Sequence, residues 1–360
     1  MLPYKQILSS TLLICFSLLS ACQAPPREYK ETLLVFGTVV NISLWDVDTP
    51  KAQQAIQAIR EDLQFMHEAW HPWLPGPLGR TNMLLATTGW FSINPSVLPL
   101  IEKGIELSQL SDGLFNPAIG QLIALWGYHQ SEPPIGPPPA ADEIKKRLAQ
   151  HPEMSDIEID GIRMRSINPA IQLDFGAMAK GLAVERTIDY LKKQGINNAI
   201  VNAGGDIKAI GRHGDRPWHI GIRHPRPEPR QNGGVLAAIN INDNECIFTS
   251  GDYERFYDYQ GKRYHHILDP RTGWPADQTM SVTVIHSDAS LADAAATALF
   301  VAGPKDWQTI ARKMHLRDVM LVDKQGQIYV TPEMAERLEW ISPDDQPIVT
   351  PSLTGSAASE

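Results

Sequence analysis

The sequence predicts a layered α+β fold, with α/β as the alternative that the element order leaves open. Strand-like segments rich in β-branched residues alternate with segments whose apolar residues recur at helical spacing. Glycine-rich turns separate many of these segments, and a chain of 360 residues is long enough to bury a large core. We find no internal repeat, so we expect one large domain or two lobes.

The first half of the chain predicts a strand region followed by three helices. Residues 32–47 have strand character, and residues 50–70 carry apolar side chains at helical spacing. A second helix is predicted from Pro95 to just before Gly113, because proline favours the first turn of a helix and glycine the position after its end. Residues 117–128 predict a third helix.

The second half is predicted to open with a loop and then to alternate again. The proline-rich stretch 131–148 is typical of a loop that leads into a surface helix, although a domain linker would share this composition. Residues 171–211 predict a strand, a tight turn, a helix that stops at Gly195, a second strand and a glycine turn. Further strands follow, and the last long helix should be capped by Asp288 or Ser290.

The N-terminus predicts a bacterial lipoprotein. Residues 1–21 carry a lysine, a short apolar run and small residues at the end, as a secretory signal peptide does. Leu-Ser-Ala-Cys resembles a lipobox in which Cys22 is lipidated; an ordinary signal with an incidental cysteine is the alternative. Gln23 then favours the outer membrane, on its periplasmic side, with the inner membrane as the other location. Residues 22–32 would be a tether, and residues 343–360 a polar, disordered tail.

The charge argues against one class of partner, and the cysteine content argues against an internal disulfide. A formal net charge of −9 without a basic stripe argues against nucleic acid as a partner. Of three cysteines, only Cys246 follows the predicted signal and lipidation site, so no internal disulfide is expected. The strand-like surroundings of Cys246 favour a small buried hydrophobe over a nucleophile.

The segment LADAAATALF carries a carboxylate and a hydroxyl on one face of a predicted helix. Asp293 and Thr297 are four residues apart, and the alanines around them allow another backbone to approach. Two hard oxygens in one small volume favour a magnesium-type ion. A surface pair that binds no metal is the alternative that this spacing leaves open.

Two glycine turns and a histidine pair supply further candidates. In LDFGAMAKG, Lys180 falls in the first turn of a predicted helix, where a phosphate could bind; a plain surface lysine fits equally well. Gly204 and Gly205 of NAGGD would let backbone approach a ligand, or simply form a turn. His266 could act as a base, and since strand neighbours face opposite sides, only one of His265 and His266 can point into a given site. A zinc site has no HExxH or CxxC spacing to support it.

Eight motifs together resemble the ApbE family of FAD:protein FMN transferases. Among them are FGTVVNISLW, LDFGAMAKGLAVE, NAGGDI, HHILDPRTGWP and SVTVIHSDASLADAAATALFVAG, in the order and spacing of the family. The resemblance covers the chain from about Leu33 to about Val330, and it implies a transferase domain over residues 33–342. The implied fold is a single large layered domain, related to the T-fold, with two lobes around an FAD cleft.

The resemblance also implies a reaction and a metal. Such enzymes bind FAD, use Mg²⁺ and move FMN onto a threonine or serine hydroxyl of a partner protein, releasing AMP. The family's metal ligands fall here on Asp293, Thr297 and the backbone carbonyl of Ala177. The third ligand would therefore come from the turn that precedes the lysine-bearing helix.

Catalytic and FAD-binding candidates follow from the reaction that the resemblance implies. His266 would act as the base, Lys180 would assist at the phosphates, and Asp269 would either orient His266 or contact FAD. The expected FAD contacts are Phe36, Trp70, Asp112, Lys180, Glu185, Gly204, Gly205, His266 and Asp269.

Two positions depart from the family pattern. Phe36 stands where the family usually has methionine, and Gly76 where it usually has serine. Phe36 could still pack against the flavin ring, whereas the loss of the serine hydroxyl removes one expected FAD contact. Trp70, ahead of that motif, suits either stacking on flavin or a place in the core.

Other functions remain open at this point. An FAD pyrophosphatase would use water in place of the hydroxyl and yield FMN and AMP, whereas a flavin-binding lipoprotein would need no metal at the phosphates. Self-modification at Thr354 is disfavoured because its neighbours do not match the acceptor motif. The resemblance implies membrane-bound respiratory subunits as acceptors, with acceptor segments on the periplasmic side, and a lipid anchor that holds the enzyme to the same membrane system.

Overall fold

The structure, a computed structural model, describes residues 28–226, 234–342 and 345–353. The predicted signal peptide, Cys22 and Thr354 lie outside the described residues. The helices are α1 Thr49–Ala69, α2 Pro77–Leu85, α3 Leu98–Leu110, α4 Gly120–Leu125, α5 Ala141–Leu148, α6 Ala179–Lys193, α7 Ala289–Lys313 and α8 Pro332–Ala335.

The strands are short, and most of them follow one another as antiparallel neighbours. They are β1 Glu28–Val35, β2 Thr38–Trp45, β3 Phe91–Ser92, β4 Ile157–Asp160, β5 Arg163–Ser166, β6 Ala199–Ala203, β7 Asp206–Ile210, β8 Trp218–Arg223, β9 Val235–Ile241, β10 Cys246–Gly251, β11 Phe256–Tyr259, β12 Lys262–His265, β13 Thr279–His286, β14 Asp318–Asp323, β15 Ile328–Val330, β16 Leu338–Trp340 and β17 Pro347–Val349.

A nine-stranded sheet runs through the molecule in the order β1-β2-β6-β7-β10-β13-β14-β15-β17. Because side chains alternate along a strand, the central strands β7, β10, β13 and β14 each contribute to two cores. In β14, for example, Val319 and Leu321 pack with the helices, whereas Met320 and Val322 pack with the second sheet, β16-β9-β8. The molecule thus has three layers, helices, large sheet and small sheet, and the predicted α+β class is confirmed.

Two smaller units complete the fold. Strands β3, β5 and β4 form a three-stranded sheet, and β11 pairs with β12 as a hairpin. Around that hairpin, α4 and α5 enclose a separate core that contains Trp126, Tyr128 and Tyr264. The implied division into two lobes around an FAD cleft stays a prediction.

The local signals for α6 and α7 are largely confirmed. Helix α6 begins at Ala179, two residues later than expected, and Gly195 follows its end with a φ of 66°. The side chain of Asp288 caps α7 by accepting a hydrogen bond from Leu291 N at 3.0 Å. Near its middle, α7 kinks where Gly303 adopts a φ of 72° before Pro304.

Both ends of the described chain are more ordered than the sequence predicted. The expected tether already belongs to β1 from Glu28 onward, because Glu28–Val35 pairs with β2 along its whole length. The expected disordered tail contains β17, which pairs in parallel with β15, and Thr350 and Leu353 behind it are buried. These backbone pairings satisfy hydrogen bonds that a polar composition does not reveal.

Other expectations concern single features. Helix α3 begins at Leu98, so Pro95 precedes it by a turn instead of opening it. Cys246 is fully buried, its thiol lies 2.9 Å from the His286 carbonyl, and burial raises its pKa. The prediction of an inert, buried cysteine is therefore confirmed. None of the helices within the described ranges has the length and apolar character needed to cross a bilayer.

Candidate functional site

The carboxylate of Asp293 lies where helix α7 packs against helix α6. Gly181 N, in the first turn of α6, donates a hydrogen bond of 2.8 Å to Asp293 Oδ2. The helices approach so closely that a Cβ on Gly181 would lie 2.3 Å from the Ala289 carbonyl oxygen and 2.9 Å from Asp293 Cβ. Glycine is therefore required at position 181 for this contact, a residue that the sequence analysis missed.

Lys180 lies beside this junction and carries a positive charge. It forms an ion pair with Asp206 at the start of β7, and Asp206 Oδ1 also accepts from Thr249 N at 3.2 Å. Burial alone would lower the pKa of Lys180, but the charges of Asp206, Asp293 and Glu254 raise it above its usual value. A phosphate approaching the first turn of α6 would meet a protonated lysine.

The junction holds more negative than positive charge. Asp293 is buried, and burial raises the pKa of its carboxyl although the charge of Lys180 opposes this. Three carboxylates, Asp206, Asp293 and Glu254, act on the ammonium of Lys180, and Arg223 supplies a second positive charge beside Glu254. Because uncompensated charge is costly in a buried site, this excess favours a bound cation.

The donors at the junction are oxygens, as Mg²⁺ requires. Thr297 Oγ1 lies 3.1 Å from Ser250 Oγ of β10, one turn along α7 from Asp293. Ala177 lies in the turn that leads into α6, four residues before Gly181. Among the described residues, no three His, Cys, Asp or Glu side chains gather as a metal-ligand group. An ion here would therefore use one carboxylate and neutral oxygens, and the residues present fit Mg²⁺.

The turn between β6 and β7 lies next to Lys180 because Asp206 follows it. Gly204 and Gly205 have φ values of 69° and 106°, in the region that favours glycine. A Cβ on Gly204 would lie 2.3 Å from Thr38 Oγ1, whereas one on Gly205 would meet nothing within 4 Å. Gly204 is thus needed for packing, and Gly205 leaves open space beside the site.

His266 is held as a neutral ring with one free nitrogen. Its Nδ1 lies 3.2 Å from the Arg255 carbonyl, which can only accept, so the proton belongs on Nδ1 and Nε2 keeps its lone pair. Desolvation, followed by the charges of His265, Arg255 and Lys180, lowers the pKa of His266 to about 3. His266 therefore has the protonation state of a base that has not yet accepted a proton.

Comparison with known proteins identifies the family. The model of the ApbE family matches residues 36–321. This chain belongs to the ApbE family. A relative from Rhodobacter capsulatus is 40% identical over 316 residues, covering 88% of this chain, and one from Klebsiella pneumoniae is 31% identical over 85% of it. Both relatives carry the name FAD:protein FMN transferase. The chain spans 59% of the length of the first and 92% of the second.

Solved structures of ApbE proteins share the fold. The crystal structure of the ApbE protein from Thermotoga maritima aligns with a TM-score of 0.76 at 29% identity, covering 86% of this chain and 99% of that one. Flavin transferase ApbE from Vibrio cholerae aligns with a TM-score of 0.75 at 26% identity, covering 87% and 100%. The predicted family and the predicted single α+β domain are confirmed.

In this ApbE-family chain, Asp269 does not orient His266 as one of the predictions held. Asp269 Oδ1 accepts from the backbone N of Arg271 at 2.8 Å, and both carboxylate oxygens accept from its guanidinium. Asp269 also lines, with His265, a cavity of about 540 Å³ that neither Lys180 nor His266 reaches. Asp269 thus organises its own turn, and a contact with FAD stays a prediction.

Phe36 and Trp70 lie together but differ in exposure. Phe36 lies in the β1–β2 turn with a φ of 55°, its ring centroid 6.3 Å from that of Trp70 and 5.6 Å from that of His67. Trp70 is buried, and its indole N–H donates to the Ser96 carbonyl at 2.9 Å. Trp70 is therefore a core aromatic behind Phe36, and only the half-exposed Phe36 can present a ring to a ligand.

Asp112 and Glu185 each form an ion pair with a lysine of this chain. Asp112 forms an ion pair with Lys313 in the last turn of α7, at the other end of the helix from Asp293. Lys103 of α3 pairs with Asp288 at the start of α7 at 3.0 Å, so α3 and the residues that follow it contact both ends of the kinked α7. A contact of Asp112 with FAD stays a prediction. Glu185 accepts a hydrogen bond from the buried Lys208 at 2.6 Å, and its contact with FAD stays a prediction.

The contacts of Asp174 and Gly76 could not be predicted from the sequence. Asp174 ends the segment before the α6 turn, where Oδ1 accepts from Gly176 N at 2.9 Å and Oδ2 from Trp73 Nε1 at 3.1 Å. Asp174 thus fixes the glycine turn and joins it to Trp73. A Cβ on Gly76 would lie 2.9 Å from the Glu68 carbonyl oxygen, which explains why a serine does not fit there.

Proposed function

We propose that this protein transfers FMN from FAD to a threonine or serine hydroxyl of a partner protein and releases AMP, with Mg²⁺ at the α6–α7 junction. The name of its curated relatives supports transfer of FMN from FAD to a protein. The observation that carries the proposal is the junction itself, where Asp293, Thr297 and Lys180 come together with excess negative charge.

The metal would be held by Asp293, Thr297 and the carbonyl of Ala177. This donor set contains only oxygens, and a magnesium ion keeps water or substrate phosphate oxygens in its remaining positions. When bound there, Mg²⁺ neutralises charge on the phosphoryl oxygens. Lys180, which stays protonated, adds a second positive charge at the start of α6.

A side chain of the protein takes the proton of the acceptor hydroxyl. In the transfer, the hydroxyl oxygen bonds to the phosphorus of the FMN half, the bond from that phosphorus to the AMP oxygen breaks, and AMP leaves. His266 Nε2 keeps a free lone pair because Nδ1–H donates to the Arg255 carbonyl, so Nε2 can take the hydroxyl proton. A bound pyrophosphate would raise the low pKa of His266 by its negative charge and make it a stronger base.

The expected setting is a lipid-anchored enzyme on the periplasmic side of a bacterial membrane, with membrane respiratory subunits as acceptors. The lipobox-like sequence before Cys22 supports this setting. Globomycin-sensitive processing of the full-length chain and a mass increase on Cys22 would test it, and an unmodified Cys22 would contradict it.

The transfer itself is tested by mass spectrometry. The signal-free protein is incubated with FAD, Mg²⁺ and a peptide that carries an acceptor threonine, with and without chelator. One FMN added to the threonine, and lost with chelator, supports metal-dependent transfer. Free FMN and AMP with an unmodified peptide would indicate a pyrophosphatase, and intact bound FAD would indicate a flavin-binding protein; both results would contradict the proposal.

A further inference from the structure

A buried lysine beside the junction has no part in the reaction described above. Lys208, in β7, has a fully buried side chain, which is rare for lysine unless it is paired. Its Nζ donates to Glu185 Oε1 of α6 at 2.6 Å and to the carbonyl of Ser287. Lys208 therefore joins the central sheet to α6 and to the residue that precedes the cap of α7.

The second oxygen of Glu185 reaches the start of α7. Oε2 accepts a hydrogen bond of 2.8 Å from Ala289 N, the first residue of that helix. First-turn N–H groups have no partner within their helix, so this bond satisfies a donor that the helix itself leaves free. Lys208 and Glu185 thus hold the chain on both sides of the cap residue Asp288.

Each of the two helices donates a backbone hydrogen bond to a carboxylate of the other. Glu185 of α6 accepts from the backbone of Ala289 in α7, and Asp293 of α7 accepts from the backbone of Gly181 in α6. Both spacings, 181 to 185 and 289 to 293, are four residues, so each pair lies on one helix face. Any shift of the first turn of α7 would move Asp293 relative to Gly181.

We infer that Glu185 and Lys208 are positioning residues that fix the first turn of α7 and thereby the Asp293 carboxylate for metal binding. The part that concerns the metal rests on the proposed function. Glu185 acts through its bond to Ala289 N, and its carboxylate pairs with the buried charge of Lys208. Neither side chain needs to touch the ion or FAD.

The test measures metal affinity and backbone exchange separately. Titration calorimetry of the FAD-free protein with Mg²⁺ gives the dissociation constant, and hydrogen exchange by NMR reports the Ala289 amide. We expect Lys208→Met to raise the dissociation constant by about 10- to 100-fold, the range for residues that orient metal ligands, and to speed exchange at Ala289. In Lys208→Met/Glu185→Gln both values should return toward wild type, because the amide still accepts from Ala289 N and no charge stays unpaired.

Arg337→Met is the matched control. Arg337 also pairs with a carboxylate, that of Glu245 at 2.6 Å, and its other hydrogen-bond partners, Asp318 and the Asn240 carbonyl, lie outside α6 and α7. The Arg337→Met substitution should lower the melting temperature without changing the dissociation constant for Mg²⁺. If Lys208→Met only lowers the melting temperature, as the control does, the positioning role is wrong.

The outcomes separate this inference from the proposed function. Normal Mg²⁺ binding and unchanged Ala289 exchange in Lys208→Met would overturn the inference and leave the transferase intact. If the wild-type protein binds no Mg²⁺, the metal proposal fails, while exchange at Ala289 still decides whether the pair fixes α7. If Lys208→Met does not fold, Glu185→Gln takes its place in the test. An amide oxygen accepts a hydrogen bond more weakly than a carboxylate, so the Ala289 amide should exchange faster in this variant. Unchanged exchange at Ala289 would overturn the inference.

Discussion

Replacing Gly181 by alanine should weaken metal binding more than folding. The new Cβ would lie 2.3 Å from the Ala289 carbonyl oxygen and 2.9 Å from Asp293 Cβ, so α6 and α7 must separate. Such overpacking costs about 1–3 kcal/mol, and the better helix propensity of alanine offsets about 1 kcal/mol of that. The separation also breaks the hydrogen bond from Gly181 N to the Asp293 carboxylate, which is worth ~1.5–3 kcal/mol. If this bond holds the carboxylate in place for the ion, its loss lowers the affinity for Mg²⁺ by about 10- to 100-fold.

The assay is FMN transfer to an acceptor peptide over a range of Mg²⁺ concentrations, together with thermal unfolding. Gly181→Ala should need about 10- to 100-fold more Mg²⁺ for half-maximal rate and recover activity at high Mg²⁺. Gly89→Ala is the control, because its Cβ would meet only Thr87 Oγ1 at 3.7 Å. A Gly181→Ala protein with the wild-type magnesium requirement would refute the role of this helix contact.

Three further predictions concern stability and reactivity. Desolvation lowers the pKa of His265 from 6.5 to about 4, so the stability it contributes is present above pH 6.5 and is lost as the pH falls toward 4, by about 1.4 kcal/mol per unit. The pKa of His266 is lowered as well, so urea unfolding should show the sum of the two slopes, and His265→Asn should remove the share of His265. Gly76→Ser should destabilise the fold by about 1–3 kcal/mol, because its Cβ would lie 2.9 Å from the Glu68 carbonyl oxygen, and an unchanged melting temperature would contradict this. N-ethylmaleimide should label Cys246 far more slowly in the folded protein than in urea, because burial raises the pKa of its thiol; equal rates would show that the cysteine is accessible.

Features with local causes could be predicted from the sequence. The cap at Asp288, the stop at Gly195 and the place of Lys180 in the first turn of α6 each depend on a few neighbouring residues, and the structure agrees with all three. The motif order also identified the family. Short-range signals and a known pattern thus sufficed for the fold class and for the helices that carry the candidate metal ligands.

Features that depend on distant partners could not be predicted. The pairing of Glu185 with Lys208 is one such feature, because Lys208 lies in a strand that α6 reaches only after folding. The three-residue strand Pro347–Val349 forms only beside β15, a partner that its own sequence does not indicate. The ion pair of Asp112 with Lys313 likewise joins residues that lie far apart in the sequence.

The measurement that tests the central claim most directly compares wild type with Asp293→Asn by intact mass of the acceptor peptide after incubation with FAD and Mg²⁺. Asparagine keeps the size of the side chain and can still accept from Gly181 N, so the fold should persist while the anionic metal ligand is lost. We predict that wild type adds one FMN to the peptide and that the folded variant is slower by orders of magnitude at every Mg²⁺ concentration. Equal flavinylation by both proteins would contradict a metal-dependent transferase site at the α6–α7 junction.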